Sequence, residues 1–435
     1  MVTHPHPPAR WSRAFRQLYA VSVVGSIGQQ VALLAVPVLA VGVLRATPGQ
    51  VGLLGVLGTA AFLLIGLPAG VWVDRADRRT VMIVADLVRS ALFASVPLAW
   101  WAGWLTIGQL YLVVLLAGAG TVFFDVAEQS YLPAVVGRER LVAANSLLVS
   151  TGATIQIGGR ALGGFLVQLI GAPVALVLNA AAYLVSALVL TRLRRDAAPA
   201  RQAGRRDGFG RQLAEGVRHV LGNPLLRPLA LSLAGTNLTV NLMTTMLPVV
   251  FLRELGLGAA TLGLFLGAGG VGALLGAVTA RPLADRIGHG PALWLPGLVV
   301  APLGALVPLI DTGPALWLAG FGWLAIAWRT GIGNVIGVSL RQRATPDALL
   351  GRMNAVFRFL LFGAIAVGAA LSGLLGQYAS LHTALWIGAA GTALTWLPIF
   401  CSPLRALAEP PTVAASPREA ATVADASAPS AGTGR

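Results

Sequence analysis

The chain has 435 residues, 56% of them apolar and 11% charged, with a net charge of +15. That is too apolar for a soluble globule of ordinary make-up. The positive charge is spread gap by gap between apolar stretches, with no single stripe and no interleaved aromatics, which excludes a nucleic-acid surface; the lone Cys401 excludes an intrachain disulfide and a cysteine zinc cluster.

Residues 1–14 read as a cytoplasmic N-terminus, because no small-residue cleavage site ends the apolar run that follows. Apolar helices are expected over 15–44, 50–73, 79–102, 106–128, 140–170 and 172–193, then over 224–251, 258–282, 289–311, 314–340, 350–377 and 381–402. A stretch of about 20 apolar residues crosses a bilayer as a helix, which satisfies its own backbone in lipid. The expected fold is therefore an all-α membrane protein of twelve transmembrane helices in two six-helix bundles, 15–193 and 224–402. All 31 basic residues are arginine, and those between the apolar stretches fall mostly in alternate gaps: Arg75, Arg78 and Arg79, Arg138 and Arg140, Arg281 and Arg286, Arg341, Arg343 and Arg352. The other gaps hold only Arg45 and Arg253. Basic loops stay inside, so both termini are expected in the cytoplasm of a bacterial plasma membrane.

The linker, 194–223, places Phe209, Leu213, Val217 and Leu221 one helical turn apart, as an amphipathic helix on the inner membrane surface would. The tail, 403–435, is rich in Ala, Pro, Ser and Thr and is expected to be disordered. The halves repeat. Arg140 to Asn145 parallels Leu349 to Asn354, and at the same offset Gly164 meets Gly373, Leu166 meets Leu375 and Gln168 meets Gln377. Repeated bundles put a substrate site between them near the bilayer midplane.

After the second helix the chain reads Gly70-Val-Trp-Val-Asp74-Arg75-Ala-Asp77-Arg78-Arg79. This resembles the G-x-x-x-D-R-x-x-R-R signature of the major facilitator superfamily. The segments Ala85-Asp86-Leu-Val-Arg89, Phe123 to Pro133, Arg138 to Asn145, Ser339 to Asp347 and Leu350 to Asn354 are similar to the branch holding the enterobactin exporter and the macrolide efflux pumps. The likeness runs over about residues 15–402 and implies alternating access and proton-driven export of small, often natural-product-like molecules. Two departures stand out. Helix five reads Gly158-Gly159-Arg160-Ala-Leu-Gly163-Gly164, with Arg160 where such exporters carry the proline of a Gly-Pro pair. Helix one has Gln29 and Gln30 where relatives often have an aspartate.

A cytoplasmic gate is expected from Gly70, a glycine suited to close helix approach, with Asp74, Arg75, Arg78 and Arg79. Asp86 and Arg89, three apart, form either a neutral structural pair or part of the same latch. Asp285 and Arg286 stand in a weaker copy in which Arg281 replaces the glycine. Asp125 and Glu128 share a face, and two carboxylates this close favour holding a proton, which suits coupling; the alternative is anchoring loop arginines. Arg160 lies well inside helix five and must face the cavity or a carboxylate. Gln29, Gln30, Asn237, Asn241, Arg329 and Arg358 complete the cavity candidates. Trp100, Trp101 and Trp104 read as an outer-interface belt.

The five histidines lack metal-ligand spacing and no P-loop is present, so neither an enzyme, a cofactor nor ATP hydrolysis is expected. The sequence reads as a monomeric secondary transporter whose partners are lipid, a small molecule and protons. Proton-coupled uptake is the alternative direction, and a non-transporting sensor on the same fold is the remote one.

Overall fold

The computed structural model describes residues 11–73, 75–193 and 209–409. Among them the secondary structure is helical, without strands. The first half holds α1 (Arg13–Gly42), α2 (Pro48–Val73), α3 (Arg78–Trp101), α4 (Ile107–Val136), α5 (Leu141–Ile170) and α6 (Ala172–Leu190). After α7 (Phe209–Gly222), the second half begins with α8 (Leu226–Thr244), which continues through the short α9 (Leu247–Val249) and a π turn (Val250–Glu254). It goes on with α10 (Ala259–Ile287), α11 (His289–Gly304), α12 (Pro314–Arg343), α13 (Asp347–Tyr378), α14 (Leu381–Leu394) and the short α15 (Leu397–Phe400). Short polar side chains start several helices: Ser12 accepts from Phe15 N at 3.1 Å, Thr106 from Gln109 N at 3.3 Å and Ser380 from Thr383 N at 3.0 Å. Gly137, Gly171 and Gly288 end α4, α5 and α10 at φ 74, 82 and 90°, a left-handed geometry that glycine adopts without strain.

Eleven helical segments among the described residues are long and apolar enough to span a bilayer, one fewer than the expected twelve. The twelfth is α12, whose 30 residues reach about 45 Å, long enough to cross, but whose mean apolarity is lowered by Arg329 and by its tryptophans and glycines. Other boundaries also differ. The helix expected to stop at 128 runs to Val136, so Glu128 lies about two turns and Asp125 about three turns inside it. The sixth helix ends at Leu190, three residues early, and the expected tail begins with order. Pro403–Ala406 forms a 3-10 turn, Leu404 is buried, and Gly290 N donates to Leu407 O at 2.8 Å. Gly290 makes this possible, since a Cβ there would collide with Leu404 O. Residues 410–435 lie outside the described residues, as do 1–10 and 194–208.

The linker helix α7 is held on α13 by Gly216 and the buried Val220, and Arg352 Nη1 donates to Glu215 Oε2 at 2.5 Å. Val217 and Leu221, half of the expected apolar stripe, stay exposed.

The apolar core is divided in a way that sets the shape. One cluster draws on both halves around Leu34, Leu39, Leu242, Phe251 and Leu262, at the end of the molecule that carries Trp100, Trp101 and Trp104. At the opposite, arginine-rich end there are two separate clusters: Phe15, Met82 and Tyr131 belong to the first half, and Leu226, Ile336 and Phe357 to the second. Two bundles sharing a core at one end and holding private cores at the other enclose a cleft that opens toward the arginines.

Candidate functional site

The closed end of the cleft is a pair of glycine seams. A Cβ on Gly52 would lie 2.5 Å from Gly373 Cα, and one on Gly164 2.6 Å from Ala259 O and 2.9 Å from Gly263 Cα. Small residues let α2 meet α13, and α5 meet α10, backbone to backbone. Each seam ends in the same device. Gln168 Oε1 accepts from Ala260 N at 2.9 Å at the start of α10, and Gln377 Oε1 accepts from Gly49 N at 3.2 Å at the start of α2. The pairs that the repeat aligns, Gly164 with Gly373 and Gln168 with Gln377, thus make equivalent contacts in the two halves. Arg253 adds a third tie, donating from Nη2 to Val41 O at 3.3 Å in the last turn of α1 and to Ala46 O at 3.0 Å in the loop after it.

Phe62 of α2 and Phe362 of α13 stack at 4.3 Å further along the seam. Beyond them, Gly66 and Gly70 on α2, Gly152 on α5 and Gly351 on α13 have no atom within 4 Å of where a Cβ would sit. Gly70 therefore supports no close helix approach here, contrary to the expectation: the bundles diverge along α2, and contact falls to Gly52 and Gly55.

One wall is a stripe on α5. Val142, Val149, Ala153 and Gln156 are exposed and lead along one helical face to the half-buried Arg160. Exposed Leu162, Phe165 and Leu169 occupy the opposite face of the helix, and Gly159 and Gly163 turn toward Gln30 and Leu34 of α1. Arg160 therefore points inward, between α1 and α10. No carboxylate or hydrogen-bond acceptor among the described residues engages its side chain.

Across the cleft, the exposed Arg358 of α13 acts electrostatically on Asp125 of α4, as does Arg89. Glu128 lies within the influence of Asp125 and beside Ser22, with Oε1 buried and unpartnered. The structure thus brings Asp125, Glu128 and Arg358 into one electrostatic group.

Asp86 and Arg89 do pair, inside the first bundle. Arg89 donates to Asp86, Ser186 Oγ donates to Asp86 as well, and the guanidinium lies 4.6 Å from the Phe124 ring and 4.3 Å from Tyr183. Every one of these partners belongs to the first half, which makes the pair a core tie. Arg79 likewise stays local: its Nε donates to Leu190 O at 2.9 Å and Nη2 to Thr191 O, capping α6. Asp77 caps α3 through Thr80 Oγ1 at 2.5 Å. Arg75 is exposed and Arg78 half-buried at the start of α3, while Asp74 lies outside the described residues. In the second half Asp285 meets Arg281 at 3.8 Å on its own helix, with Arg286 exposed beside it.

Gln29 is exposed; Gln30 is buried against Gly159 with Oε1 unpartnered. Asn237 and Asn241 donate along their own helix, to Leu233 O at 2.9 Å and Asn237 O at 3.0 Å. Arg329 is buried, and its Nη2 donates to Thr236 Oγ1 at 3.1 Å and Thr395 Oγ1 at 2.9 Å. Sequence reasoning missed Gln156, Thr236, Thr395 and Ser186, uncharged side chains without a motif. It also missed the role of Arg253, whose isolation in a gap otherwise poor in arginine was the available signal.

The family described as transmembrane secretion effector matches residues 4–433. The chain is 29% identical over 336 residues to the multidrug efflux pump Tap of Mycolicibacterium fortuitum, covering 75% of this chain and 80% of Tap. It is 28% identical over 393 residues to the enterobactin exporter EntS of Salmonella choleraesuis, covering 86% of each. Among solved structures it is similar to a bacterial homologue of the iron transporter ferroportin in its inward-facing state, with TM-score 0.71, 20% identity, and coverage of 89% of this chain and 98% of that one. The nucleoside transporter NupG superposes with TM-score 0.70 at 14% identity, covering 90% and 99%.

Proposed function

Because the chain belongs to the transmembrane secretion effector family of the major facilitator superfamily, we propose that it exports a small organic molecule by alternating access. The divided core carries this reading: one hydrophobic cluster joins the halves at the tryptophan end, and two private clusters flank a cleft at the other. Bundles packed in this way rock about their shared contacts and expose the cleft to one face at a time. The arginine-rich end is cytoplasmic by the basic-loop rule, so this conformation is the one that loads from inside the cell.

Transport is coupled to protons. Asp125 and Glu128, in mutual electrostatic contact, exchange a proton as the cleft changes sides, with Arg358 alternating as the counter-charge of Asp125. Arg160 contacts the cargo. Gly70, Asp74, Arg75, Arg78 and Arg79 close the cytoplasmic side in the other state, with Asp285 and Arg286 as the second-half counterpart and Asp86 with Arg89 bracing the first. The chain works as a monomer in the bacterial plasma membrane.

The test uses inside-out vesicles with an acid interior and enterobactin or a fluorescent dye as probe. Uptake of either that collapses with the gradient, and that loses its gradient dependence in Asp125→Asn or Glu128→Gln, supports coupled export. Flux that ignores the gradient removes the proton; flux in the opposite direction makes the protein an importer.

A further inference from the structure

The second bundle contains a groove that the cleft alone does not explain. It runs along α12 and is open to one side, walled mainly by α8, with Phe357 of α13, Leu293 of α11 and Ile399 of α15 completing it. Its floor follows one helical face in steps of four: Arg329, Gly333, Gly337, Arg341. Gly333 and Gly337 have no atom within 4 Å of a Cβ position, so the glycines leave the groove empty. Arginines stand at both ends, about 18 Å apart along the helix.

Neither arginine is satisfied. Arg329 is 7% exposed, its Nε is buried without an acceptor, and two threonine hydroxyls are its only hydrogen-bond partners among the described residues. Arg341 Nε is also buried without an acceptor, and its guanidinium lies 4.8 Å from the Phe357 ring. No carboxylate is at hand. The second half has four, Glu254, Asp285, Asp311 and Asp347, and every one stands at or beyond a helix end. Arg89 in the first half has its aspartate; Arg329 has none. A guanidinium held in the membrane interior without a counter-ion is costly, and truncating the partner of a buried charge has the same cost. A ligand that brings the negative charge removes it.

We propose that this groove seats an oxyanion of the carboxylate type carried by the exported molecule, Arg341 drawing it in at the mouth and Arg329 receiving it at the deep end. This rests on the export reading and adds the chemical class of cargo. The hydroxyls of Thr236 and Thr395 orient Arg329 from behind, and Phe357 faces the apolar body behind the charged group. The guanidinium fork suits the two oxygens of a carboxylate.

The test follows one thiol in the Cys401→Ser background, Gly333→Cys, in purified full-length protein. Anionic and cationic methanethiosulfonates of equal size are compared. The anionic reagent should react about tenfold faster than the cationic one, relative to a free thiol. Arg341→Gln should lower that ratio, and Arg329→Lys should keep it. Millimolar benzoate should slow the reaction, while benzamide and inorganic phosphate should not.

Equal rates for the two reagents, or protection by benzamide, overturns the anion seat. Protection by phosphate equal to that by benzoate overturns the assignment to cargo and makes it a site for a free inorganic ion. Rocking is read separately, from spin-label distances across the tryptophan end in the same protein. Intact rocking with no benzoate effect sinks this inference alone, whereas loss of both sinks the transport reading too.

Discussion

Removing the ties at the tryptophan end should open that face. The variant is Gln168→Ala with Gln377→Ala and Arg253→Ala. Each glutamine satisfies one orphan N–H at a helix start, worth about 1 kcal/mol. Arg253 makes two hydrogen bonds to carbonyls at 3.3 and 3.0 Å, and its charge raises their joint worth to about 2 kcal/mol. All of them cross between the halves and break when that end separates. The variant therefore loses about 4 kcal/mol of preference for this conformation, nearly a thousandfold in the population ratio. The assay is the distance between spin labels at Trp104→Cys and Trp317→Cys, exposed sites on different halves at that end, in the Cys401→Ser background. A new, longer distance should become a major component. An unchanged distance distribution in a folded, monodisperse variant refutes the reasoning, since the ties would then contribute nothing to the balance between states.

The glycine seam gives a second route to the same state: Gly164→Leu places side-chain atoms where Ala259 O and Gly263 Cα already lie, so the same labels should separate further, whereas Gly66→Leu, with open space around it, should leave the distance unchanged. Asp86→Asn leaves the guanidinium of Arg89 buried without its charge partner and should cost about 3–5 kcal/mol; a fall in Tm partly restored by adding Arg89→Gln would bear this out, and an unaltered Tm would count against the pair as a core tie. Arg160→Ala should reduce vesicle uptake by roughly tenfold or more while Arg160→Lys retains part of it; equal uptake by all three proteins would remove Arg160 from the cargo path.

The helices and their alternation were legible because membrane burial leaves its mark on every residue of a span, through apolar run length and arginine placement. Boundaries were less so. The run expected to end at Glu128 continues to Val136 because a carboxylate buried against Ser22 of a neighbouring helix does not end a helix. α12 falls short of the apolarity of the other spans because Arg329, which lines a groove, lies within its apolar stretch among tryptophans and glycines. The repeat was the most informative signal. It aligned Gly164 with Gly373 and Gln168 with Gln377, and those residues form both seams.

Partners across helices were not legible. The choice between Asp86 and Arg89 as a latch or a neutral pair turned on Ser186, Phe124 and Tyr183, which lie on other helices. Gly70 looked like a packing notch because a glycine's neighbours cannot be read from its own spacing; the bundles part at that level and leave it open. By itself the sequence determined the medium, the helical architecture, the two-fold repeat and the family resemblance, because each is written in local composition and in motifs. Only the tertiary structure decided which end is closed, which charges are paired and which arginines stand unanswered, because those depend on how two bundles meet in space.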